Sequence, residues 1–146
     1  MLLLFSVVYA VKSLRTNNPK YDTFSVEFAN VGILFGILGL LTGMLWAKFA
    51  WGALWSNDPK QNASAIGLLI YLAYKVLRSS IGDPMNKARI SSVYNIFAFA
   101  CLVPLLFILP RMTDSLHPGN GGNPGFNIYD LDNELRKVFY IAGLAW

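Results

Sequence analysis

The chain has one histidine, His117, and one cysteine, Cys101, in 146 residues. A lone loop histidine is ordinarily just solvated. The chemistry open to it is axial ligation of a haem iron, where one residue suffices per face. A zinc site needs partners, and no other histidine or cysteine lies in the surrounding loops. Cys101 sits in the middle of an uncharged block and has no second thiol to pair with, so it reads as a small apolar filler. The other concentration of unusual residues is aromatic. Trp46, Trp51 and Trp55, three of the four tryptophans, fall between Leu45 and Pro59. Trp51, Trp55 and Asp58 are spaced i, i+4, i+7, which predicts one shared helical face. Two readings stay open for that face. It is an aromatic belt residing at a membrane interface, or it is a flat platform for a planar, apolar ligand. Asp58 also has a simpler role, because Asp followed by Pro59 makes a good N-cap and N1 pair for the helix that follows.

These residues must be positioned by elements that are themselves apolar. The sequence is 55% hydrophobic and only 14% charged, against about 25% charged in soluble domains. Its apolar residues lie in long uncharged blocks rather than stripes. Phe28 to Ala47 and Ile90 to Pro110 each run about the thickness of a hydrocarbon core at helical rise. A third block from Gln61 extends to Ser80 if Lys75 and Arg78 snorkel to the interface. We therefore expect an all-α, polytopic transmembrane bundle forming one domain. Its spans cover about 28–47, 59–80 and 89–110, with partial spans at 1–14 and 137–146. Outer loops cover 48–58 and 111–136, the first as an amphipathic helix along the surface. Met1 to Val11 is no signal peptide, since no basic segment precedes it and Lys12 and Arg15 stand where a cleavage site belongs. Pro104 is expected to kink its helix about two turns before the outer end. Gly32, Gly36, Gly39 and Gly43 form a small-residue stripe for close helix approach, and Ser91, Ser92 and Asn95 should bond to neighbouring helices.

Orientation follows from the loop cations. Lys12, Arg15, Lys20, Lys75, Arg78, Lys87 and Arg89 fall on one side. Lys48, Lys60, Arg111, Arg136 and Lys137 fall on the other, together with Asp58, Asp114, Asp130, Asp132 and Glu134. The more basic side is assigned to the cytoplasm. The net charge of +4 is thus a topology signal. It is not a nucleic-acid footprint, because no basic cluster exceeds two adjacent residues. A transporter or channel subunit is the alternative class, but no span carries a charge well inside the membrane.

The run Trp46-Ala47-Lys48-Phe49-Ala50-Trp51-Gly52-Ala53-Leu54-Trp55-Ser56-Asn57-Asp58 resembles the tryptophan-rich signature of the cytochrome c assembly family of haem-handling membrane proteins. The order of elements is similar too: a glycine-rich span, the Trp segment, a span, a basic inner loop, a proline-containing span, then a loop with Leu116-His117-Pro118-Gly119. Within the family the resemblance is nearest to the CcmC group, with the CcsA group as a near relative. It implies that His117 is an axial ligand of haem iron, and that Trp46, Trp51, Gly52, Trp55 and Asp58 hold transiently bound haem b. It implies a multi-pass protein of a bacterial inner membrane with the Trp and His117 loops in the periplasm. Implied partners are a CcmE-like periplasmic haem chaperone, CcmAB-like transporter subunits and a small CcmD-like subunit, besides membrane lipids. Such a protein delivers haem and is not an enzyme; a CcsA-like one would instead belong to a synthase that attaches haem to apocytochrome thiols. The motif departs from many members at Ser56, Asn57 and Pro59-Lys60, where further Trp and an Arg are usual. The resemblance also implies an internal fragment, with a second ligand histidine expected upstream of Met1.

Overall fold

In a computed structural model the described residues are 1–113, 115–116, 137–138 and 141, and the elements among them are helices. They are α1 (Leu2–Thr16), α2 (Pro19–Trp51), α3 (Pro59–Ser80), α4 (Pro84–Val103), a π-helical turn (Pro104–Ile108) and α5 (Leu109–Met112). The start signals are plain. Asn18, Asp58 and Asp83 each precede a proline at the first helical position.

 

In each case the capping side chain accepts a backbone N–H of the first turn: Asn18 from Lys20 at 3.0 Å, Asp58 from Lys60 at 2.9 Å and Asp83 from Asn86 at 2.8 Å. The proline costs nothing there, because its missing N–H would have been unbonded anyway.

Among the described residues two helices are both long and apolar enough to cross a membrane, α2 and the continuous stretch Pro84–Ile108. α3 has the length, at 22 residues or about 33 Å, but Lys60, Gln61, Asn62, Lys75 and Arg78 lower its apolarity. Arg78 stands in the last turn of α3. It makes a two-pronged ion pair with Asp22 of α2, at 2.9 and 2.6 Å. Lys75 likewise donates to Asn30 of α2. These bonds tie α2 and α3 together at the end remote from Trp51.

Helices α1 and α2 form a hairpin about Asn17, whose left-handed φ of 50° closes the turn. Small residues let them approach closely: Ser6, Ala10 and Ser13 of α1 are buried, as are Ser25 and Ala29 of α2. Ser6 Oγ donates to Ser25 O at 2.6 Å and Ser25 Oγ donates to Ser6 O at 2.9 Å. Asn95 of α4 donates through Nδ2 to both serine hydroxyls, at 2.6 and 3.0 Å. The expected interhelical bonding is therefore made by Asn95, while Ser91 and Ser92 are buried without a hydrogen-bond partner.

The glycine stripe divides. A Cβ on Gly32 would meet Leu3 of α1 at 2.6 Å, and one on Gly36 would touch Leu68 of α3 at 3.4 Å. Gly39 and Gly43 have nothing within 4 Å. They face a cleft of about 360 Å³ between α2 and α3, also lined by Met44, Gln61, Tyr71 and Leu106. Close packing thus accounts for the inner half of the stripe only. At Pro104 the helix changes to π-type hydrogen bonding, as a ring that cannot donate to the preceding turn demands.

Candidate functional site

Helix α2 carries Trp46 and Trp51 to its end. Gly52 then takes φ 82°, a left-handed conformation in which glycine is at ease, and its N–H closes on Lys48 O at 3.1 Å. Lys48 Nζ reaches Gly52 O at 3.1 Å and covers the same carbonyl end. Residues 53–58 are not helical. This corrects the expectation of an amphipathic helix with Trp51, Trp55 and Asp58 on one face. The ring pair that forms is Trp46 with Trp51, edge to face, with centroids 5.2 Å apart. Trp46 keeps 47% of its surface exposed, Trp55 36% and Phe49 88%. The end of α2 and the turn after it thus present aromatic rings outward.

The turn from Gly52 to Asp58 is held by the first turn of α3. Gln61, itself buried, accepts through Oε1 from Ser56 N at 3.1 Å and Ser56 Oγ at 3.2 Å. Its Nε2 lies 3.5 Å from Leu54 O. Asn62 donates to Asn57 O at 3.2 Å. Asn57 carries a left-handed φ of 54°, which asparagine tolerates better than most residues.

Asp58 is buried, at 3% exposed. It caps α3, and it also binds the segment after α5. Ser115 Oγ lies 3.0 and 2.8 Å from its two carboxylate oxygens, and Leu116 N donates to Oδ2 at 2.6 Å. Leu116 is the covalent neighbour of His117. The structure therefore brings the Trp-rich turn and the start of the His117 segment to one end of the bundle, joined at a buried carboxylate. His117 itself, most of the loop expected over 111–136 and most of the partial span over 137–146 lie outside the described residues. Ser115 and Gln61 carry no sequence signal of their own. Only the fold reveals them, since the Asp58–Ser115 bond joins residues 57 apart.

The exposed rings are of a kind on which a planar, apolar group can stack. Half-exposed indole rings offer contact area at low entropy cost, and the one histidine follows directly on the residues that Asp58 holds. Among the described residues no group of three or more His, Cys, Asp or Glu side chains could hold a bare metal ion.

The family model described as "Cytochrome C assembly protein" matches residues 1–117. The chain belongs to the cytochrome c assembly family. Among curated proteins it is similar to "Cytochrome c biogenesis protein CcsA" of Prochlorococcus marinus (strain MIT 9515), 43% identical over 67 residues, covering 46% of this chain and 22% of the relative. The same-named protein of Prochlorococcus marinus subsp. pastoris is 42% identical over 94 residues, covering 64% and 30%. That of Pelargonium hortorum is 29% identical over 103 residues, covering 69% and 32%. The matches thus span less than a third of these relatives' length. No solved structure matches.

Proposed function

We propose that the chain handles haem for cytochrome c maturation, holding it against the aromatic end of α2 with His117 as an axial ligand. The observation that carries the reading is the junction at Asp58. Its support is that exposed Trp46 and Trp55 and the residues leading into His117 lie at the same end of the bundle. In this reading Trp46, Trp51 and Trp55 bind the porphyrin face and keep water from it. Gly52 ends the helix so that the next turn can fold beside the rings. Asp58 holds the loop and does not touch the cargo. When bound, haem supplies the iron centre. The protein's own part is to bind the haem and orient it.

The relatives' names favour the CcsA group, for which the resemblance implies attachment of haem to apocytochrome. The partners would then be the rest of a haem-attachment complex and its apocytochrome. A CcmC-like route, with a CcmE-like chaperone and CcmAB- and CcmD-like subunits, is the second reading. The similar run of motif and loop is its support. The Trp and His117 segments would face the outer side, as the loop cations suggest. Purification from membranes of haem-sufficient cells tests the proposal. The protein should carry a Soret band, and Trp46→Ala with Trp55→Ala should lower it while leaving the protein in the membrane. An unchanged band would leave the tryptophans as an interfacial belt. Copurification with apocytochrome or with a CcmE-like chaperone separates the two routes.

A further inference from the structure

We propose that Asp58 is a positioning residue that latches the His117 segment to the Trp-rich turn. The proposal rests on the haem-handling reading for its consequence, but not for its geometry. The carboxylate is buried and surrounded by donors. Lys60 N reaches Oδ1 at 2.9 Å, Leu116 N reaches Oδ2 at 2.6 Å, and Ser115 Oγ lies within 3.0 Å of both oxygens. Capping α3 needs only one oxygen. The second oxygen serves the 115–116 segment, and the short distances are those of charge-assisted bonds. The N-terminus of α3 adds its own positive end to the same spot. One side chain therefore fixes three things relative to one another: the start of α3, the turn bearing Trp55, and the residues leading into His117.

The chemistry explains why an aspartate stands here rather than another capping residue. Asparagine caps a helix as well as aspartate does. Its amide nitrogen, however, would face Leu116 N–H, a donor facing a donor. Asp58→Asn thus keeps the cap of α3 and breaks the latch, although the two side chains have the same shape. Ser115→Ala removes one arm of the latch from the other side and leaves Asp58 untouched.

The latch can be read without haem. In the membrane protein carrying Cys101→Ala and His117→Cys, the rate at which a water-soluble maleimide labels position 117 reports how firmly the segment is held. Asp58→Asn should raise that rate about tenfold to a hundredfold, the factor carried by a hydrogen bond to a charged group. Ser115→Ala should raise it too, and the double variant should fall short of the product of the two, since both cut one junction. With His117 in place, the same two variants should weaken iron ligation in the purified protein's spectrum, and Ser115→Thr should restore it. Faster labelling together with weaker ligation supports the proposal. Faster labelling with an unchanged haem spectrum overturns the latch's role in ligation, and a parent protein without any haem signal overturns the haem reading while leaving the latch to the labelling rates. Labelling unchanged in both Asp58→Asn and Ser115→Ala overturns the latch.

Discussion

Gln61 decides whether the turn bearing Trp55 is ordered. Its Oε1 accepts from both the amide and the hydroxyl of Ser56, at 3.1 and 3.2 Å, while its contact with Leu54 O is at 3.5 Å. A hydrogen bond of ordinary length contributes about 1 kcal/mol net, and one at 3.5 Å contributes little. Gln61→Ala should therefore cost the turn about 2 kcal/mol, a shift of roughly thirtyfold toward open forms. Gln61→Glu keeps the accepting oxygen and gives up only the weak bond, so it should change the population by no more than about a few-fold. Hydrogen exchange followed by mass spectrometry reads this directly on a peptide covering 52–58. The amide of Ser56 should exchange faster in the alanine variant and close to the parent rate in the glutamate variant. Quenching of Trp55 fluorescence by iodide should follow the same order. Equal exchange at Ser56 in the parent and the alanine variant would refute the reasoning, as would a glutamate variant as loose as the alanine one.

Asn95 bridges α1, α2 and α4 through Ser6 and Ser25. Interhelical hydrogen bonds in membranes average about 0.6 kcal/mol and reach about 1.7, so Asn95→Ala and Ser25→Ala should couple by about that much in a double-mutant cycle. Unfolding in mixed detergent followed by circular dichroism measures the cycle, and additive effects would deny the bond. For topology, Leu54→Cys should react with an impermeant reagent from outside and Gly82→Cys only after the membrane is opened. Reaction of both from the same side would contradict the orientation read from the loop cations.

Local signals and long-range contacts are unequally legible in the sequence. The helix start at Asp58-Pro59 could be read from two adjacent residues, because capping is local chemistry. Asn18-Pro19 and Asp83-Pro84 carry the same signal. The uncharged blocks understated α2, which begins at Pro19 rather than near Phe28, because charge marks where a membrane ends and not where a helix ends. Trp51 and Trp55 show the opposite error. Their spacing fits a helix, but Gly52 between them takes a left-handed φ of 82° and stops it. The glycine is the visible signal in the sequence, and it outweighs the i, i+4 spacing. The contacts that fix the site were not legible. Asp58 with Ser115, Arg78 with Asp22, and Asn95 with Ser6 join residues 57, 56 and 89 apart. Such pairings follow from how helices stack, and no local period records them.

The central claim is that His117 binds the iron of a haem held at the aromatic end of the bundle. The most direct measurement is electron paramagnetic resonance of the ferric protein purified from membranes, beside its His117→Ala variant, with and without added imidazole. The account predicts a histidine-ligated low-spin signal in the parent, its loss in the variant and its partial return with imidazole. A variant whose signal matches the parent's without imidazole would contradict it.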